Sequence, residues 1–307
     1  MSYFRSNIDA MSGYVPGEQP QTDGFIKLNT NENPYPPSPA VATAVNEVLQ
    51  RGLRKYPDPM AGVFRCRASE LLGVPPDWIL AGNGSDDILT IVTRALVGEG
   101  DLLRMPYPSY ILYRTLAELQ GARCEEILFQ RDWSLPTAFA EGGKDLKLVF
   151  LANPNSPSGT LVPPERVLEL AAQLPCPILV DEAYADFAET NCLQLVAKNE
   201  RIMVSRSFSK SHALAGLRFG YLVAQPHLIE HVARRYIQLA EPLPGSRHHR
   251  SPADDHARDP DHAASADQAC ANDHRRVVQL ERACLVTSAV VHCILPGVVG
   301  DPDRSRR

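Results

Sequence analysis

The stretch LKLVFLANPNSPSG, residues 146–159, changes character halfway along. Its first seven residues are apolar except for Lys147, and the remainder is dominated by Asn, Pro, Ser and Gly. A short apolar run closed by turn formers predicts a buried strand, with the turn and its amide side chains emerging at the carboxyl end. CPILVDEAY (176–184) and RIMVSRSFS (201–209) repeat the pattern. Between these strands PPERVLELAAQL (163–174) opens on prolines, as a helix can, while NCLQLVAKNE (191–200) has a less regular helical spacing. Strand and helix in alternation predict an α/β domain built on a mainly parallel sheet.

Working outward, SDDILTIVTRAL (85–96) has apolar residues at helical spacing behind a Ser-Asp start suited to capping. FGYLVA (219–224) reads as a further strand, followed by a helix from about Pro226 to Leu239. The sequence holds no internal repeat.

Composition narrows the possible functions. A chain of 307 residues that is 44% hydrophobic can bury a large core. A formal charge of −5, without a cluster of Lys and Arg, argues against nucleic acid or anionic lipid as a partner. The amino-terminal residues lack the apolar core of a signal peptide, and no apolar run reaches the roughly 18 residues of a membrane span, so a cytoplasmic protein is expected. The seven cysteines form no CxxC pair and read as reduced thiols.

The composition breaks near residue 246. Every Phe, Trp and Tyr lies at or before Tyr236, the last lysine is Lys210, and six of the nine histidines follow Ser246. Without aromatics to anchor a core, the first 30 or so residues of this tail are expected to be disordered or loosely held. Three readings stand: a natural disordered tail, a His-rich metal tract around His248, His249, His256, His262 and His274, and translation of a GC-rich gene in a shifted frame. The third accounts best for the gain of Arg, His, Pro, Ala and Asp; the histidine spacings match no defined ligand pattern, and no metal site is expected.

The chemistry gathers at strand ends. In open α/β sheets ligands bind beyond the carboxyl ends of the strands, where NPNSPSG, the two acids and phenol of VDEAY (180–184), and SRSFSK (205–210) all fall. AGNGSDD (81–87) adds a glycine-rich turn running into a helix, whose free N–H groups suit a phosphate. Ser207, Ser209 and Arg218 could donate to the same anion. The set fits a cofactor with a phosphate at one end and a lysine-reactive carbonyl at the other.

In order along the chain, KLNTNENP (27–34), RKYPDP (54–59), GNGSDD (82–87), PYPSYILY (106–113), NPNSPSG (153–159), VDEAYADF (180–187) and SFSKSHALAGLRFGY (207–221) resemble the signatures of the fold type I pyridoxal-phosphate aminotransferases, above all those acting on histidinol phosphate. The resemblance runs over about residues 14–240. It implies a three-layer α/β/α large domain at 36–245 behind an amino-terminal arm at 1–35, with 246–307 standing where the family has a small closing domain.

It also implies roles. Lys210 would be the lysine that bonds the cofactor aldehyde and later carries the proton between substrate and cofactor carbons. Asp181 would hold the pyridine nitrogen protonated, and Tyr184 would donate to the ring oxygen. Tyr110 would stack on the ring. Gly84, Ser85 and Asp86 would bind the phosphate, with Ser207, Ser209 and Arg218 completing the cup. Tyr56 would reach the phosphate of a neighbouring subunit, which implies a homodimer, and Tyr14 would face the substrate.

Two positions depart from the pattern. Ser156 stands where the family has an asparagine that contacts the ring oxygen, so that either Ser156 or Asn155 takes that part, and Asp87 replaces a usual glutamate. The function implied is transfer of an amino group from histidinol phosphate to 2-oxoglutarate in histidine biosynthesis. Without a recognisable small domain, weak cofactor binding, little turnover and low solubility are expected. A threonine-phosphate decarboxylase and a catalytically inactive remnant are the alternatives.

Overall fold

The computed structural model of the protein describes residues 2–11 and 26–237. The expectations for Tyr14 and for the segment 246–307 therefore lie outside the described residues. The chain divides into two compact units, one of Met1–Pro37 and Trp78–Val232, the other of Ser38–Asp77 and Ala233–Arg307. Residues 38–77 fall in the second of these units.

The described elements are the helices α1 (Ser6–Ala10), α2 (Pro39–Arg51), α3 (Gly62–Leu72), α4 (Ser85–Leu96), α5 (Leu112–Gln120), α6 (Pro164–Gln173) and α7 (Pro226–Ile237). The strands are β1 (Ile79–Gly82), β2 (Leu102–Tyr107), β3 (Arg123–Leu128), β4 (Leu146–Ala152), β5 (Ile178–Asp181), β6 (Ile202–Ser207) and β7 (Gly220–Val223).

In the first unit the strands form one sheet in the order β1-β7-β6-β5-β4-β2-β3. Neighbouring strands from β6 through β5, β4 and β2 to β3 run parallel, and β7 is antiparallel to both β6 and β1. All four residues of β5 are buried, as are the last five of β4. A strand buried at consecutive positions is covered on both faces, which is why these runs do not alternate in polarity. Each fully buried Leu, Ile, Val or Phe here contributes about 1.5–3 kcal/mol, enough to fix the register that aligns the strand ends.

The carboxyl ends of β1, β4, β5 and β6 come together with the start of β7. Ala152 pairs with Asp181, Asp181 with Ser205, and Ser207 with Gly220, which in turn pairs with Gly82 at the end of β1. One residue is forced by this register. A Cβ on Gly220 would lie 2.6 Å from the Ser85 backbone nitrogen, 2.7 Å from the Gly84 carbonyl carbon and 2.8 Å from the Arg206 oxygen. Only glycine lets the start of α4 come this close to β7. Gly220→Ala is expected to destabilise the protein by about 1–3 kcal/mol, as overpacking against backbone does, and to push the first turn of α4 off the sheet; urea unfolding together with phosphate binding measures both.

The structure differs from the sequence reading in three places. CPILVDEAY is strand only over Ile178–Asp181, because the chain leaves the sheet at Asp181 and turns through a 3-10 segment at Ala185–Phe187. NCLQLVAKNE forms a single 3-10 turn at Leu193–Leu195 instead of a helix. There the Asn191 carboxamide accepts from the Leu193 N–H at 3.1 Å and the Asn199 carboxamide from the Arg201 N–H at 2.9 Å. Such local bonds offer the backbone an alternative to helix. Finally, Ser85 is the first residue of α4 and not its cap, a position held by Gly84 at φ 90°.

In the second unit α2 starts behind Ser38, whose hydroxyl accepts from the Ala40 N–H, with Pro39 at the first helical position. Its buried residues Val41, Ala44 and Val48 fall on one face. The Asp58 carboxylate accepts from the N–H groups of Met60 at 2.9 Å and Gly62 at 2.6 Å, fixing the turn that leads into α3.

Candidate active site

Beyond the aligned strand ends of the first unit lies a cavity of about 660 Å³, within the range of small-molecule sites. Its walls come from the loops after β4, β5 and β6, from the start of α4, and from the segment Asn29–Glu32.

Lys210 follows β6 by three residues and is half-buried. Its Nζ donates to the Thr30 carbonyl at 2.7 Å and lies 5.6 Å from the centroid of the Tyr184 ring. Asn33 Nδ2 donates to the carbonyls of Lys210, at 3.0 Å, and Ser211, at 3.2 Å. On the other side the Ser211 hydroxyl donates to the Asp186 carboxylate. The loop carrying the amine is thus tied at both shoulders, so the flexible side chain moves from a fixed base.

Asp181, the last residue of β5, is 6% exposed and lines the cavity. Tyr113 Oη donates to its Oδ2 at 2.8 Å, and Ser205 Oγ, at 3.2 Å, and the Ala183 N–H, at 3.3 Å, donate to its Oδ1. Burial nonetheless dominates and pushes the carboxyl up to about 6, with the three donors opposing it. A carboxylate held this way gains most from a cation brought to it. The Tyr113 phenol is pushed well above its ordinary range by the same burial, with Asp181 adding to the effect, so it stays a donor. Its ring stacks on Phe150 at 4.5 Å. Next along the chain, Glu182 carries a buried carboxylate that binds Arg206 through two hydrogen bonds, of 2.8 and 2.9 Å, which joins the end of β5 to that of β6.

The cavity is also lined by groups that can donate to an anion. The first turn of α4 presents its free N–H groups and positive dipole end. Ser85, Asp86, Ser207, Ser209 and Arg218 are among the lining residues. Arg218 has φ 52° and its guanidinium lies 3.6 Å from Asp86 Oδ2. A Cβ on Gly84 would meet that guanidinium at 2.7 Å, so the glycine makes room for the arginine. Asp86 also accepts from Tyr110 Oη at 3.2 Å, and Asp87 accepts from the Asn83 N–H at 2.9 Å.

Tyr110, Ser156 and Tyr184 line the same cavity. Asn155 is buried, and its carboxamide is engaged in its own loop: it donates to the Pro108 carbonyl at 3.1 Å and to Ser158 Oγ at 2.9 Å, and accepts from Ser109 at 2.7 Å. Between the two residues left open by the sequence, it is Ser156 that faces the space. Tyr56 belongs to the second unit and is 96% exposed. Sequence reasoning passed over Tyr113, Gly220, Asn31 and Asn33, although each stands within a stretch it singled out. Tyr113 closes PYPSYILY, and the two asparagines belong to NTNENP. Among the described residues no group of three or more His, Cys, Asp or Glu side chains is placed to hold a metal, and no helix is long and apolar enough to cross a membrane.

The residues fit pyridoxal phosphate as a group: the start of α4 with Ser207, Ser209 and Arg218 for a phosphate, the buried acid Asp181 for a ring nitrogen, and the amine of Lys210 for an aldehyde, all lining one cavity. Histidinol-phosphate aminotransferase of Rhodopirellula baltica is 57% identical over 232 residues, 75% of this chain and 64% of that protein. Histidinol-phosphate aminotransferase 1 of Trichormus variabilis is 48% identical over 230 residues, 75% of this chain and 65% of that protein. The chain therefore spans just under two thirds of the length of these relatives. Histidinol-phosphate aminotransferase from Sinorhizobium meliloti, solved in complex with pyridoxal-5'-phosphate, shares the fold at a TM-score of 0.63 and 22% identity, over 91% of this chain and 77% of that one. Aspartate aminotransferase from Thermotoga maritima does so at a TM-score of 0.63 and 24% identity, over 70% of this chain and 62% of that one. The family described as aminotransferase class I and II matches residues 23–288, and with its mainly parallel seven-stranded sheet and the signatures at the strand ends, the chain belongs to that family.

Proposed function

We propose that the protein uses pyridoxal phosphate to transfer the amino group of histidinol phosphate to 2-oxoglutarate, as a cytoplasmic homodimer. The observation that carries this reading is the convergence of Lys210, Asp181 and the anion cradle of α4 on one cavity of about 660 Å³. The names of its relatives support the choice of substrate.

Bound pyridoxal phosphate supplies an aldehyde for an amine and a protonated ring that draws electrons from the substrate carbon. The start of α4, Ser207, Ser209 and Arg218 would hold its phosphate, with Gly84 leaving room for the Arg218 guanidinium and Gly220 letting α4 pack close against β7. Asp181 pairs with the ring nitrogen and retains the proton there, while Tyr113 and Ser205 keep the carboxylate aimed and ionised. Tyr184 and Ser156 donate to the ring oxygen, and Tyr110 covers the ring. Lys210 Nζ is the amine that would hold the cofactor's aldehyde and, when free, would take and return the proton at the reacting carbon. Its resting contact, the Thr30 carbonyl at 2.7 Å, keeps the freed amine within the cavity. For the dimer, Tyr56 reaches the partner's phosphate site, and Leu49, Leu53 and Tyr56 of the second unit offer exposed apolar surface to a second copy. Residues 36–245 act as the large domain, and 246–307 stand in the place of the small one.

The test loads the full chain with pyridoxal phosphate and adds histidinol phosphate or threonine phosphate in turn. Loss of the visible cofactor band with histidinol phosphate, and glutamate formed after 2-oxoglutarate, is the expected result. Carbon dioxide released from threonine phosphate, or no spectral response to either compound, overturns it.

A further inference from the structure

We propose that Asn31 is a positioning residue that fixes the direction of the Tyr184 hydroxyl, so that the phenol meets the cofactor's ring oxygen as a hydrogen-bond donor. This rests on the pyridoxal-phosphate reading above and adds a residue to it.

Asn31 Nδ2 donates to Tyr184 Oη at 3.0 Å, and both side chains line the cavity. A phenol carries one hydrogen and can accept as well as donate. A phenol oxygen already occupied by an amide donor keeps its own hydrogen for a different partner. The ring oxygen of the cofactor needs a donor, because it is anionic or shares a single proton. A phenol turned to give its hydrogen to the Asn29–Glu32 segment would instead present a lone pair to that oxygen. The direction of one hydrogen bond therefore decides whether Tyr184 attracts or repels the ligand.

The segment is built to hold that direction. Asn31 has φ 52°, a left-handed conformation that asparagine, aspartate and glycine adopt most readily. Lys27 Nζ donates to both the Thr30 hydroxyl and the Glu32 carboxylate, clamping the residues on either side. The Thr30 carbonyl accepts from Lys210, and Asn33 donates to the carbonyls of Lys210 and Ser211. Asn31 thus sits in a turn tied to the lysine loop before and after it, with its amide reaching across to the phenol. Moving the segment moves Lys210 as well, so the amine and the phenol are aligned by one piece of backbone.

Two substitutions preserve the left-handed backbone. Asn31→Asp keeps the shape but offers only acceptors, so it captures the Tyr184 hydrogen. Asn31→Gly removes the group and leaves the phenol free to turn. Affinity for pyridoxal phosphate, read from the visible band of the loaded full-length chain, is expected to fall roughly tenfold in Asn31→Asp, the scale of a hydrogen bond to a charged group, and by less in Asn31→Gly. Placing both changes in a Tyr184→Phe background closes a double-mutant cycle, in which any effect of the new carboxylate on Lys210 is common to the two backgrounds. The excess loss of Asn31→Asp should then largely disappear. Asn31→Asp binding as tightly as the parent, or losing the same factor with and without the phenol, overturns the inference. A parent chain that takes up no cofactor overturns the cofactor reading and this inference with it. Normal loading by the parent with no coupling between positions 31 and 184 removes this inference alone.

Discussion

Lys210→Ala is expected to abolish covalent capture of pyridoxal phosphate and to lower amino transfer by at least roughly 10²–10⁴-fold, the contribution of one positioned acid–base group. In the proposed mechanism the amine has two tasks at different times, and alanine performs neither. As an attachment point it needs a fixed base and a mobile tip. Asn33 and the Ser211–Asp186 contact hold the base, and the tip makes a single hydrogen bond of its own, to the Thr30 carbonyl, that a ligand can replace. As a proton carrier it must return to the same position after release, which that carbonyl also provides. The anion cradle at the start of α4 uses none of these atoms, so inorganic phosphate should bind Lys210→Ala as it binds the parent. Borohydride reduction followed by peptide mass analysis gives the decisive reading: a cofactor adduct on the peptide containing residue 210 in the parent and none in the variant. Equal trapping in both would place the covalent bond elsewhere and remove the proposed mechanism.

How far this site could be read in the sequence follows from where its parts lie. Lys210 and Asp181 stand at the ends of apolar runs, and in a parallel sheet a strand end points towards the ligand edge whatever the details of packing. For the same reason β4 was legible to the residue, since its run is closed at Asn153 by a turn that no strand continues. Tyr113 was not legible, because within α5 it is one of three buried positions, and only the folded arrangement brings its hydroxyl to Asp181 at the end of β5. Gly220 reads from sequence as an ordinary strand glycine; its necessity arises from β7 lying antiparallel beside both β1 and β6 and under the first turn of α4. Which of Asn155 and Ser156 is engaged by the loop itself is not legible in sequence; the hydrogen bonds from Ser109 and to Pro108 and Ser158 engage Asn155, and Ser156 lines the cavity. The segment 191–200 was misread as helical because its spacing is helical while its two asparagines favour local turns.

Asp181→Asn is expected to weaken pyridoxal phosphate binding by about 10²–10³-fold, the cost of leaving one member of a buried charge pair without its partner, while sparing the fold of the cofactor-free protein. The amide is nearly the same shape. Its oxygen can accept from Tyr113, and its nitrogen can donate to Ser205 in place of the present bond from that residue, while the weaker bond from the Ala183 N–H, 3.3 Å in the parent, is lost. What it cannot supply is negative charge for a protonated ring nitrogen. Stability should move the other way, and the sign follows from the pKa. Burial raises the Asp181 carboxyl from 3.8 to about 6 in the folded chain, so between these values the folded state binds more protons than the unfolded one. Stability from this group is therefore full below about pH 4, falls as pH rises through the window to 6, and stays at the lower level above it. Asparagine does not titrate, so the melting temperature of the variant relative to the parent should climb across that window and level off at higher pH. A cofactor that brings a cation to Asp181 should remove most of that penalty in the parent and leave the variant unchanged. Thermal unfolding of both proteins from pH 4 to 8, with and without pyridoxal phosphate, measures the difference. A variant that binds the cofactor as tightly as the parent would show that this carboxylate does not hold the ring, and a relative melting curve flat across the window would show that burial does not raise its carboxyl.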